Sequence, residues 1–221
     1  TGIGNAIAKN LLKQNVTVIG ISRKHTIKHK NYFAIFFDLN DVINIKKILD
    51  DIIFYHKKID AIISSAGYGV FENLENLKEK EVLDFFNVNL LAHILISKVL
   101  VSHFKKKKTG HFIFIGSEAS LKGNQKSTLY SAAKHGLLGF VKSFREECNK
   151  SEIRVTIINP GMVNSSFFKK LKFSPGKSVK NSIKLADIAE LVFFILKSNR
   201  NINYNDIHLS PIKKVINFKN N

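Results

Sequence analysis

The sequence predicts an α/β domain of three layers, a doubly wound and mainly parallel sheet covered by helices on both faces. Three observations predict it. Short β-branched runs alternate with longer segments of helical periodicity. The runs are apolar throughout rather than alternating, as strands buried on both faces are. Hydrophobic residues make up 44% of 221 positions, enough for a large core.

The elements follow in order. Residues 2–14 form a Gly-rich turn opening a helix, with Ile7, Leu11 and Leu12 on one stripe. A strand covers 16–21 and a second 32–37, ending at Asp38. Asp41 caps a helix over 42–56. A strand at 59–63 runs into Ser64-Ser65-Ala66-Gly67, and a long helix covers 84–104. The strand at 111–115 ends in Gly116-Ser117, and another long helix spans 128–149. A strand at 154–158 is stopped by Pro160-Gly161, followed by a helix over 184–197 and a short strand at 206–209. No linker or repeat interrupts the chain, so residues 1–221 are expected to form a single domain. A doubly wound domain has a strand before its Gly-rich turn, and this chain opens on the helix. The expectation is a fragment lacking roughly ten residues, a first strand of ordinary length and half its loop.

Composition narrows the function. Lys and Arg exceed Asp and Glu by 35 to 17, a net charge of +18, but the basic residues are spread along the chain. The densest run is 105–108. A nucleic-acid role would need that charge on one face, and none is expected. Cys148 is the single cysteine, which excludes an internal disulfide and a multi-Cys metal site. His25 and His29 have helical spacing but no third ligand nearby, so no metal is expected. No uninterrupted apolar run reaches about 18 residues, so no membrane span is expected. A reducing cytoplasm is the default location.

Tyr130 and Lys134 sit four apart on a predicted helix and therefore share a face. A free phenol titrates near 10, too high for efficient acid–base work at neutral pH. An ammonium about 4 Å away is expected to lower it by Coulomb attraction. A phenol so tuned gives a proton to a carbonyl oxygen and takes it back. Ser117, at a strand end thirteen residues earlier, is placed to hydrogen-bond the same oxygen.

Thr1-Gly2-Ile3-Gly4, Ser65-Ala66-Gly67, Asn87-Val88-Asn89, Ser117, Tyr130-Ser131-Ala132-Ala133-Lys134 and Pro160-Gly161-Met162-Val163 together resemble the short-chain dehydrogenase/reductase family in order and spacing. The resemblance implies a Rossmann-type domain and hydride transfer between a nicotinamide cofactor and a carbonyl/secondary alcohol pair. It implies Tyr130 as acid/base and Lys134 as the residue that tunes it and binds ribose. Ser117 would orient the substrate carbonyl, and Asn89 would complete a tetrad through a water. The implied cofactor contacts are Gly2, Ile3 and Gly4 at the pyrophosphate, Asp38 and Leu39 at the adenine, Ser65, Ala66 and Gly67, and Pro160, Gly161, Val163 and Ser165 at the nicotinamide. Ser22 stands where an acid would bind a free ribose hydroxyl, and cationic Arg23 and Lys24 follow, so NADP(H) is favoured over NAD(H). The family usually has Asn-Asn-Ala-Gly where this chain has Ser64-Ser65-Ala66-Gly67. The implied partners are a small-molecule carbonyl or alcohol and a second or further copy of the chain, as homodimer or homotetramer. Phe167 and Phe168 are candidates to line a substrate pocket, and Cys148 reads as a core or surface thiol. Two other readings remain open: a catalytically impaired fragment or nucleotide-binding protein of the same fold, and a nucleic-acid binder using the net charge.

Overall fold

A computed structural model describes residues 2–219. Thr1, in the first motif, lies outside the described residues. The chain divides into two compact units.

The larger unit comprises 40–161 and 199–209. Its centre is a four-stranded, all-parallel sheet of β3 (Ala61–Ser64), β4 (Gly110–Ile115), β5 (Ile153–Pro160) and β7 (Asp206–Leu209), in the order β3-β4-β5-β7. Parallel strands need crossovers. α3 (Glu79–Phe86) and α4 (Ala92–Lys107) fill the interval between β3 and β4, α5 (Thr128–Cys148) fills that between β4 and β5, and α2 (Ile45–His56) precedes β3. Every residue of β4 is buried, which accounts for its unbroken apolar run. Phe112 and Phe114 stack in parallel on one face of that strand. Phe104 of α4 and Phe144 of α5 each meet Phe112 edge-on with ring centres 5.0 Å apart. Aromatic pairs of this geometry add to the gain from burial alone. Cys148 is fully buried at the end of α5, and burial pushes its thiol up to about 11.

α3 and α4 are one continuous helix, Glu79–Lys107, joined by a π turn over Asn87–Leu91. The expected helix over 84–104 is thus longer at both ends, and counting uninterrupted apolar runs did not register its overall apolarity. It is long and apolar enough, by length and composition, to cross a membrane. Its Phe85, Ala92, Ile96, Leu100 and Phe104 are buried within the unit. The dense basic run is the last turn of this helix, where cations meet the negative end of the helix dipole. Lys107 donates to the Ile59 carbonyl at 2.7 Å and pairs with Asp60 at 3.8 Å.

The smaller unit comprises 2–39, 162–198 and 210–219 of the described residues. Here α1 (Gly2–Lys13) packs on α6 (Leu185–Lys197). The buried faces are Ile7, Leu11 and Leu12 against Ile188, Ala189, Val192 and Ile195. β1 (Val18–Ser22) and β2 (Tyr32–Phe36) form a parallel pair. β6 (Phe173–Pro175) and β8 (Ile216–Phe218) form a small antiparallel pair.

Two details depart from the sequence reading. Asp41 does not cap α2 directly, because the helix begins at Ile45. It accepts instead from the backbone N–H of Asn44 at 3.3 Å and from the Asn44 amide at 2.8 Å, shaping the turn before the helix. β6 and β8 were not anticipated.

Candidate active site

Parallel strands deliver chain to the same end of a sheet, so the segments after β3, β4 and β5 emerge together. After β4, Gly116 and Ser117 meet Asn159 of β5. The Ser117 backbone N–H donates to Asn159 Oδ1 at 3.2 Å, and the Ser120 hydroxyl donates to the same oxygen at 3.4 Å. A Cβ at residue 116 would lie 2.0 Å from that oxygen, so glycine is required there. Ser117 is extended, nearly buried, and accepts from the Ala119 N–H at 3.1 Å through its hydroxyl.

Tyr130 and Lys134 lie in the first two turns of α5. The Ser117 side chain lies close enough to the Tyr130 hydroxyl to favour its ionised form. Phe71 covers the Tyr130 ring at 5.1 Å between centres. Lys134 is buried, its Nζ 5.9 Å from the centre of the Tyr130 ring. It donates to the Ile115 carbonyl at 3.3 Å. Burial lowers its ammonium to about 8.

The sequence expectation of a lowered phenol does not hold in this state. Burial, the largest cause, raises Tyr130 above its ordinary value. The neighbouring Ser117 side chain pulls it down, and the negative charge of Glu118 adds to the rise. The physical reason is that the fold buries the phenol, and burial favours its neutral form.

Asn89 is fully buried in the π turn. Its amide donates to the Phe85 carbonyl at 3.1 Å, and its Oδ1 accepts the Tyr68 backbone N–H at 3.2 Å. π turns concentrate at functional sites because the extra residue re-aims a side chain. Gly67 has φ +155°, and a Cβ on it would stand 2.7 Å from Asn89 Oδ1 and 3.8 Å from Lys134 Nζ. The larger unit thus brings Asn89, Ser117, Tyr130 and Lys134 together, beside Ser65, Ala66 and Gly67. Pro160 is the last residue of β5, and the Gly161 N–H donates to the Leu209 carbonyl at 2.8 Å.

The remaining predicted residues lie in the smaller unit. Gly2, at φ +77°, Ile3 and Gly4 open α1. Ser22 ends β1, and its hydroxyl accepts the Lys24 N–H at 3.4 Å. Arg23 and Asp38 form a solvent-exposed ion pair at 3.8 Å, with Leu39 following. Val163 is buried and bridges to Ile183, and the Ser165 hydroxyl accepts the Phe167 N–H at 3.3 Å. Phe167, Phe168 and Phe173 form a chain of edge-on rings. Lys219 donates to the Phe168 carbonyl at 2.7 Å, tying the segment after β8 to these aromatics.

His25 is held by the Tyr32 hydroxyl at 2.7 Å and by the carbonyls of Ser22 and Ile35. Among the described residues no group of three or more His, Cys, Asp or Glu converges as metal ligands do.

Sequence reasoning missed His93. It is buried in α4, one turn beyond Asn89, and contacts Ser64 and Ala66. A polar residue on the apolar stripe of a helix, four positions after Asn89, was the available signal.

These features define a class, the Rossmann-like oxidoreductases with a mainly parallel sheet. Residues 1–174 match the short chain dehydrogenase family. The chain is 32% identical over 209 residues to the 3-oxoacyl-acyl-carrier-protein reductase FabG of Buchnera aphidicola from Acyrthosiphon pisum, covering 88% of this chain and 85% of that one. It is 28% identical over 209 residues to carbonyl reductase family member 4 of Xenopus laevis, covering 89% and 87%. Among solved structures, the alcohol dehydrogenase of Thermococcus sibiricus complexed with 5-hydroxy-NADP is similar. Its TM-score is 0.84 at 23% identity, over 96% of this chain and 92% of that one. Serine dehydrogenase of Escherichia coli gives 0.82 at 20% identity, over 96% and 94%. The chain belongs to the short-chain dehydrogenase family of oxidoreductases.

Proposed function

We propose that this protein is an NADP(H)-dependent reductase of a carbonyl compound, with Tyr130 as its proton donor. The observation that carries the reading is the convergence of Tyr130, Ser117 and Asn89 with buried Lys134, which shares a face of α5 with Tyr130 and reaches back to the Ile115 carbonyl. Bound nicotinamide supplies the hydride in this chemistry. The chain's residues do the rest. Ser117 donates to the substrate carbonyl oxygen and orients it. Tyr130 protonates that oxygen as the carbonyl carbon gains hydride, leaving a secondary alcohol. Because burial holds the phenol in its protonated form, the resting site is set for reduction. Lys134 stabilises the phenolate left behind, and its lowered pKa lets it return a proton near neutral pH.

The residues suit a dinucleotide. Gly67 leaves backbone uncovered where any side chain would strike Asn89. Exposed Arg23, beside Lys24, suits a ribose 2′-phosphate. Its pair with Asp38 is a surface pair of little net worth, easily exchanged for a phosphate. Within the smaller unit the proposed cofactor contacts are Gly2, Ile3, Gly4, Ser22, Arg23, Asp38, Leu39, Val163 and Ser165. Within the larger unit, taken by itself, they are Ser65, Ala66, Gly67, Tyr130, Lys134, Pro160 and Gly161. The similarity to FabG makes a 3-oxoacyl thioester the first carbonyl to try. A homodimer or homotetramer is the proposed assembly.

The test is titration with NADPH and NADH followed by fluorescence, then turnover of a carbonyl panel including a 3-oxoacyl thioester. Tighter binding of NADPH with turnover supports the reading. Binding of neither cofactor overturns it.

A further inference from the structure

The segment after β3 is held at three points by two side chains of one helix. His93 Nε2 lies 3.0 Å from the Ala66 carbonyl, and His93 Nδ1 lies 2.6 Å from Ser64 Oγ. One turn earlier, Asn89 Oδ1 accepts the Tyr68 N–H. A carbonyl only accepts, so Nε2 carries the proton and donates to Ala66. Nδ1 is then the acceptor, and the Ser64 hydroxyl donates to it. The tautomer is therefore fixed by the partners, and both ring nitrogens are satisfied.

We propose that His93 is a positioning residue which, with Asn89, clamps residues 64–68 so that their backbone is preformed for the cofactor. This rests on the cofactor reading above. The ring is about 1% exposed, so it does not touch substrate or solvent. It acts through the loop. Ser64 is the partner that a short side chain after β3 would otherwise leave without a bond, since its hydroxyl is nearly buried. A neutral ring is the only form compatible with these bonds. Burial and the nearby Lys134 charge keep it neutral, lowering His93 to about 3. A protonated ring would lose its acceptor for Ser64 and repel the ammonium. Asn89 and His93 are four residues apart and both meet the loop.

The test uses the full chain and four variants: His93→Leu, His93→Gln, Ser64→Ala, and His93→Leu combined with Ser64→Ala. NADPH affinity, kcat and KM, and hydrogen exchange of the peptide covering 64–68 are measured. His93→Leu is expected to weaken NADPH about tenfold, the equivalent of one good hydrogen bond. The turnover of the saturated enzyme is expected to change far less, and exchange at 64–68 to speed up. Gln keeps a donor for Ala66 and is expected to recover part of the affinity. Ser64→Ala is expected to add little once Leu stands at 93, because the pair acts as a unit. If His93→Leu folds, exchanges at 64–68 like the parent and binds NADPH like the parent, the proposal is overturned. Should His93→Leu fail to fold, Ser64→Ala decides, with unchanged exchange at 64–68 counting against the clamp. Parent protein that binds neither cofactor sinks the functional reading alone, since exchange still judges the clamp.

Discussion

Asn159 Oδ1 accepts the backbone N–H of Ser117 at 3.2 Å and ties the end of β5 to the end of β4. The serine proposed to orient substrate is thus aimed by an amide 42 residues away in sequence. Asn159→Ala removes the acceptor and leaves a buried N–H without a partner. A loss of about 1–3 kcal/mol in stability is expected. A fall in kcat without a change in NADPH affinity is expected too. Thermal melts and steady-state kinetics check both.

Tyr130→Phe deletes the proton donor and keeps the ring that packs against Phe71 and the cluster of Phe85, Leu129 and Ala133. Turnover is expected to drop about 10²–10⁴-fold, the ordinary worth of positioned proton transfer. NADPH affinity and melting temperature should stay near the parent's. A variant that turns over normally excludes Tyr130 as the donor.

Arg23→Ala tests cofactor choice. NADPH should bind about ten- to a hundredfold more weakly, and NADH should be nearly unaffected, since only the 2′-phosphate is lost from the comparison. Comparable weakening of both cofactors would place the defect elsewhere. Because Arg23 is exposed, raised salt should weaken NADPH more than NADH.

Stability should fall with acid through two buried histidines. His93 and His111 are both lowered by burial to about 3, against an ordinary value of 6.5. Between those values the unfolded chain binds more protons than the folded one. Stability therefore rises with pH across that window and is lost as pH falls through it. Each histidine adds a slope of at most about 1.4 kcal/mol per pH unit there. His111→Gln should flatten the dependence of chemical-denaturation midpoints between pH 4 and 6. An unchanged slope would show that His111 does not stay neutral in the folded state.

The order of the central elements was legible because local patterns agreed with the final packing. The apolar run of β4 and the stripe of α1 each announce burial directly. The four-residue spacing of Tyr130 and Lys134 survives in α5 because a helix fixes which side chains share a face. What was not legible depends on partners distant in sequence. β6 and β8 are three residues each, and only their mutual pairing makes them strands. His93 gains its meaning from Ser64, 29 residues earlier. The direction of the Tyr130 shift turns on how deeply the fold buries the phenol, which spacing alone does not settle.

The π turn gives the helix Glu79–Lys107 two angular phases. Each residue of a regular helix advances by about 100°, so one surplus residue rotates everything beyond it by that amount. Phe85 lies before the turn, Asn89 within it, and His93, Ser97, Leu100 and Phe104 after it. Removing a single residue between 87 and 91 would restore a regular helix and swing the second half by more than a quarter of a revolution. Apart from Asn89, point substitutions there are a mild perturbation by comparison. Asn89 aside, the stretch should therefore tolerate exchange of side chains far better than any change in length.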